Sequence, residues 1–121
     1  MEWLARGQGG GFAIYRLRSP HDQLVPAFIA EARTHLGKPY DVRYQWDDER
    51  IYCSELVFKA YEQAGGLPLG QMVRLDELDW KPFRATIEHF EGGPVPLGRE
   101  LITPRDLARA EQLEEVYRFG L

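Results

Sequence analysis

The sequence predicts one α+β domain over residues 1–121, and three observations predict it. Apolar residues recur with a helical period in the middle of the chain, while β-rich segments lie toward its two ends. Helices and strands are therefore segregated rather than regularly interleaved. The 121 residues are 44% apolar and 28% charged, enough for one core of ordinary globular composition. No internal repeat or low-complexity tract breaks the pattern.

Taken in order, Gly7-Gln8-Gly9-Gly10-Gly11 reads as a flexible connection. It precedes a strand rather than a helix and lacks a lysine-serine ending, so it is not a phosphate loop. Phe12 to Arg18 is β-rich and stops at Ser19-Pro20, which predicts a strand. Leu24, Val25, Phe28, Ile29, Ala32 and Leu36 share one 3.6-residue face, predicting a helix that begins near Val25 or Pro26. Gly37 and Pro39 end it. Tyr40, Val42, Tyr44 and Trp46 alternate with Asp41, Arg43 and Gln45, which fits either a short strand or an extended loop packed on one side. Asp47-Asp48-Glu49-Arg50 is a polar turn.

A second helix is predicted from Ser54 to Ala64, with Leu56, Val57, Ala60, Tyr61 and Ala64 on its apolar face and Gly65-Gly66 at its end. Asp76 to Phe90 is partly helical, with Leu78, Phe83, Ile87 and Phe90 expected in the core. Trp3, Trp46 and Trp80 are expected in the core or in a pocket wall. Thr103-Pro104-Arg105-Asp106 starts a further helix, with Thr103 as cap, Pro104 at the first position and Asp106 reaching back. Val116 to Phe119 returns as a strand.

The composition excludes several classes of function. Fifteen basic against nineteen acidic residues leave a net charge of −4, so the chain lacks the basic face of a general nucleic-acid binder. With one cysteine there is no internal disulfide and no four-cysteine zinc site. No apolar run approaches the roughly 20 residues of a transmembrane helix. The acidic N-terminus lacks the apolar stretch of a signal peptide. These features lead us to expect a soluble cytoplasmic protein without cofactor or metal.

The informative stretch runs from Gly37-Lys38-Pro39-Tyr40-Asp41 to Tyr52-Cys53-Ser54-Glu55-Leu56-Val57. Cys53 falls at the start of the second predicted helix. Free backbone N–H groups and the positive end of the helix dipole favour a thiolate there, and the same groups can hold a developing oxyanion. A lone cysteine is also commonly a small buried hydrophobe. Tyr40, Tyr52 and Ser54 are candidates for the substrate pocket or the oxyanion site, and aromatic packing explains the two tyrosines equally well. Glu55 suits a helix start. Asp47 and Asp48 are adjacent and point apart, so they form a turn rather than an acid–base pair. Of the three histidines, His21, His35 and His89, each reads most simply as solvent-facing or capping. His35, nearest the motif in sequence, is a weak candidate base, although helix geometry does not direct it at Cys53.

Those glycine-proline-tyrosine-aspartate and tyrosine-cysteine-serine-glutamate-leucine elements, with Asp47 and Asp48 between them, resemble the cysteine motif of the YiiX-like family. Its members are circularly permuted papain-like cysteine hydrolases of the NlpC superfamily. Ile102 to Ala108 and Val116-Tyr117 resemble that family's C-terminal region. The resemblance implies an NlpC-type fold, a small antiparallel sheet packed on helices, with Cys53 opening the central helix. It also implies cleavage of an amide or acyl bond through a thioester at Cys53. The implied substrate is a cell-wall-type peptide, another amide or a lipid-linked acyl group. In that family a catalytic histidine precedes the cysteine on an early strand. No such segment is present here, and Met1 to Arg18 resembles the region that follows it. The expected fold is accordingly incomplete at the N-terminus, with an open sheet edge suited to homo-oligomers. The alternative function is a non-catalytic binding domain, or a truncated remnant, that keeps the pocket without its base.

Overall fold

The first and last strands of the computed structural model, which describes residues 10–121, pair with each other. Strand β1 (Phe12–Leu17) lies antiparallel to β4 (Leu113–Phe119), from Phe12 opposite Phe119 to Leu17 opposite Leu113. The register shifts between Ile14 and Tyr15, so Val116 is an extra residue on β4 and forms a bulge. Phe12 packs on the rings of Tyr117 and Phe119. Trp3 and Gly7 to Gly9, expected as a wall residue and part of a flexible connection, lie outside the described residues.

A 3-10 turn, His21–Leu24, leads into helix α1 (Val25–Arg33), and Pro26 takes an early position where its missing N–H costs nothing. The helix ends at Arg33, earlier than the apolar pattern predicts. A turn follows, so Leu36, expected on the inner face, is 81% exposed. Gly37 has φ +89, a conformation that removes the chain from the helix direction. The alternating stretch after Pro39 is an extended loop. Its one ladder contact is a parallel bridge between Tyr40 and Ile51. Tyr44 has φ +56, which breaks the alternation a strand needs and leaves Val42, Tyr44 and Trp46 partly exposed.

Helix α2 (Cys53–Gly65) is the longest element, beginning one residue earlier and ending one later than the periodicity suggests. Gly66 ends it in the left-handed region. It packs against α1, with Phe28 edge-on to Tyr61 at 5.6 Å between ring centroids. A two-residue strand, β2 (Val73–Arg74), pairs antiparallel with β3 (Glu100–Leu101). Between them run two 3-10 turns and helix α3 (Arg84–Glu91). Phe83 and Phe90, expected in the core, are 60% and 46% exposed. They line a cavity beside α3 instead. Helix α4 (Pro104–Ala108) starts as its sequence predicts: Thr103 Oγ1 accepts from the Asp106 N–H at 3.2 Å, and Asp106 accepts from the Thr103 N–H at 3.0 Å.

The core is built from β1, α2, β3, α4 and the loops beside them, and includes Leu17, Tyr52, Phe58, Tyr61, Leu101 and Ile102. Among the described residues the architecture is thus a small α+β fold with two short antiparallel pairs and four helices. Among the described residues no helix is long and apolar enough to cross a membrane. Because the five-residue α4 depends on its cap, Thr103→Ala should lower stability by about 1 kcal/mol, read as a shifted urea midpoint at unchanged slope.

Candidate functional site

Cys53 is the first residue of α2 and is exposed. The residues on either side of it are not. Tyr52 is 1% and Ser54 4% exposed, and both reach the same backbone unit. The Tyr52 hydroxyl accepts the Ile102 N–H at 3.2 Å, and Ser54 Oγ donates to the Ile102 carbonyl at 2.7 Å. Ile102 lies between β3 and α4, so this clamp fixes the start of α2 against the β3–α4 junction. Tyr52 and Ser54, singled out from the sequence as pocket or oxyanion residues, spend their hydroxyls on the fold. Burial pushes the Tyr52 phenol up to about 12.

Tyr40 stands on the open side of the thiol. Its hydroxyl lies 3.5 Å from that of Tyr44, and the two rings meet edge to face. Partial burial and the Tyr44 hydrogen bond raise the Tyr40 pKa, and charge and hydrogen bonding from the Cys53 thiol add to the rise. Tyr44 packs in turn on Tyr52, with centroids 5.1 Å apart. The loop carrying these tyrosines is organised by Asp41, which is 2% exposed. Its two carboxylate oxygens accept the N–H groups of Arg43 at 3.0 Å and Gln45 at 3.1 Å. An Asx-type turn of this kind can hold a non-glycine residue in the left-handed region, and here it holds Tyr44.

Below the helix start, Glu55 is fully buried. Its Oε1 accepts the Tyr52 N–H at 3.1 Å, closing the first turn. Its Oε2 makes an ion-pair contact with Lys59 Nζ at 2.7 Å, without hydrogen-bond alignment. Lys59 also donates to the Asp47 carbonyl at 2.6 Å and stands 4.7 Å above the Trp46 ring. Asp47 Oδ1 accepts the N–H groups of Glu49 and Arg50, so the polar turn forms as expected. Sequence reasoning passed over Lys59, although its position four residues after Glu55 on one helix was a readable signal.

His35, the weak candidate base, is placed at the other end of α2. Its Nε2 lies 3.3 Å from Gln63 Oε1 and its Nδ1 3.0 Å from Lys38 Nζ. Gln63 follows Cys53 by ten residues, which is about 15 Å along a helix axis. His89 lies on α3 beside Phe90, and His21 in the turn before α1. Among the described residues, no histidine is hydrogen-bonded to the thiol. Among the described residues, no three His, Cys, Asp or Glu side chains converge as metal ligands.

An exposed cysteine opening a buried, clamped helix against short antiparallel strands is the arrangement of a papain-like protein. The chain belongs to the permuted papain-like amidase enzymes of the YaeF/YiiX, C92 family, whose pattern matches residues 1–117. It is 32% identical over 118 residues to the protein YiiX of Escherichia coli (strain K12), covering 95% of this chain and 58% of that one. A crystal structure described as metalloprotein yiiX from Escherichia coli O157:H7 superposes with a TM-score of 0.82 at 32% identity. That match covers 99% of this chain and 68% of the other. The chain therefore spans little more than half the length of its curated relative.

Burial raises the Glu55 pKa, and Lys59 and the Tyr52 N–H only partly oppose it. A raised carboxyl pKa stabilises the fold fully below the unfolded value of 4.5, and that contribution is lost as pH rises through the folded value. Wild-type stability should therefore fall relative to Glu55→Gln as pH rises above the unfolded value of 4.5, compared as urea midpoints.

Proposed function

We propose that the chain is a cysteine amidase that works through a thioester on Cys53. The observation that carries this reading is the exposed thiol at the first position of a rigidly clamped thirteen-residue helix, in a member of an amidase family. Cys53 Sγ attacks the carbonyl carbon of the amide. The oxyanion faces the free N–H groups of the first turn of α2. Collapse breaks the C–N bond, and the leaving nitrogen takes up a proton. Water then attacks the thioester, releasing the acid and restoring the thiol. Tyr40, half exposed beside Cys53 with its hydroxyl donating to that of Tyr44, offers an aromatic wall on the substrate side. A peptide or another amide suits this chemistry, and an acyl group carried on a lipid is a narrower version of it.

A second reading has one observation in its favour: among the described residues no histidine meets the thiol. On that reading the chain binds an amide without cleaving it. The proposed reaction assigns no base and rests on the nucleophile and the helix end.

Intact mass spectrometry separates the two readings, because the chain has one cysteine. Incubation with an N-acyl p-nitroanilide should add the acyl mass, and hydroxylamine should remove it. Cys53→Ala should give no adduct and lose about a thousandfold or more in kcat/KM, with an unchanged melting temperature. No adduct on the wild-type chain, together with undiminished amide binding, would establish the binding-only reading.

A further inference from the structure

The proposed reaction makes no use of the outer face of the β1–β4 ribbon. The register fixes which side chains share that face. Leu17 and its partner Leu113 turn inward, where Leu17 is buried and Leu113 packs on the core. Side chains alternate along a strand, so Phe12, Ile14 and Arg16 point outward from β1. Their partners Phe119, Tyr117 and Glu114 join them from β4. Phe12 packs on the rings of both Tyr117 and Phe119, so the bulge at Val116 leaves this face continuous. Ile14, Tyr117 and Phe119 remain 48%, 52% and 55% exposed. Large apolar side chains gathered in one exposed block mark an interaction surface.

The charges on the same face select the occupant. Toward the core end of the ribbon, Arg16 stands directly opposite Glu114. Consider two copies stacked face to face about a two-fold axis that runs along the strands. The axis lays β1 of one copy over β4 of the other and keeps every residue at its own level along the strand. Each rung then meets its complement. Arg16 faces the partner's Glu114, Glu114 faces the partner's Arg16, and the apolar rungs of Phe12–Phe119 and Ile14–Tyr117 face each other. A rung with two like charges would instead repel its own image. Packed sheets keep their strands within about 30° of one another, and this arrangement meets that condition. Association by the ribbon's edge is disfavoured, because the bulge at Val116 interrupts the ladder that an added strand would need.

We infer that the outer face of the β1–β4 ribbon binds a second copy of this chain, forming a two-fold dimer with the same patch on both subunits. The face is two strands wide and about 20 Å long, smaller than a standard interface, so the dimer is weak and depends on concentration. The inference stands apart from the amidase reading, since it involves neither Cys53 nor the tyrosine loop.

The test is analytical ultracentrifugation of the full chain from about 10 μM to about 1 mM, over which the mass should rise toward that of two chains. Tyr117→Asp, at an exposed position, should weaken the dimer about tenfold or more. Arg16→Glu and Glu114→Arg should each do the same, because like charges then face one another across the axis. Mixing these two variants in equal amounts should restore the dimer, because every charge then faces its opposite. Circular dichroism first shows that both components are folded, and damage to either fold would not produce the recovery. Should one of them fail to fold, Tyr117→Asp still decides. A chain that stays monomeric throughout, its face left to residues 1–9 or to a different protein, would overturn the inference. So would association that Tyr117→Asp leaves unchanged, or a mixture of folded charge variants no more associated than its components.

Discussion

The site depends on the grip that Tyr52 and Ser54 exert on the backbone of a single residue, Ile102. All three residues are buried, and the two hydroxyls satisfy both the N–H and the carbonyl of Ile102. An unpaired polar group in that position would cost about 1–3 kcal/mol, so the grip is specific in register as well as favourable. Placing clamp residues immediately before and after Cys53 leaves the thiol the one side chain of the three that points to solvent. The thiol is held still by its neighbours, without contacts that would cover it.

A second layer of order comes from charges brought inside. Glu55 and Asp41 are both buried carboxylates, and each holds a loop by accepting backbone N–H groups. Lys59 gathers the strain of this arrangement: it balances Glu55, ties down the Asp47 turn and lies along Trp46. Removing one member of such a set leaves the others buried and uncompensated, so the set acts as a unit. Its product is the position of Tyr40 and Tyr44 over the start of α2.

Much of this was legible in the sequence because the signals were local. The cap at Thr103, the stop at Gly66 and the turn at Asp47 each follow from side chains within four residues of the backbone they bind. Cys53 at a helix start was legible for the same reason. What was not legible depends on distant partners. The pairing of Tyr52 and Ser54 with Ile102 spans about half the chain, and no periodicity encodes it. Phe83 and Phe90 read as core residues because hydrophobicity cannot distinguish a packed interior from the wall of a cavity. Leu36 continues the helical stripe on paper, but the chain leaves the helix before reaching it.

The pairing of β1 with β4 also bears on how the chain acquires its structure. Phe12 and Phe119 are partners separated by nearly the whole described sequence. Closing so long a loop is entropically costly until the intervening core has formed to shorten the search. On a ribosome, β1 emerges well before its partner, with Ile14 and Tyr15 in a strand that has no mate until then. Helices α1 and α2, which are close in sequence and pack on each other, can assemble long before that. A nascent chain has its cysteine-bearing helix before it has its sheet.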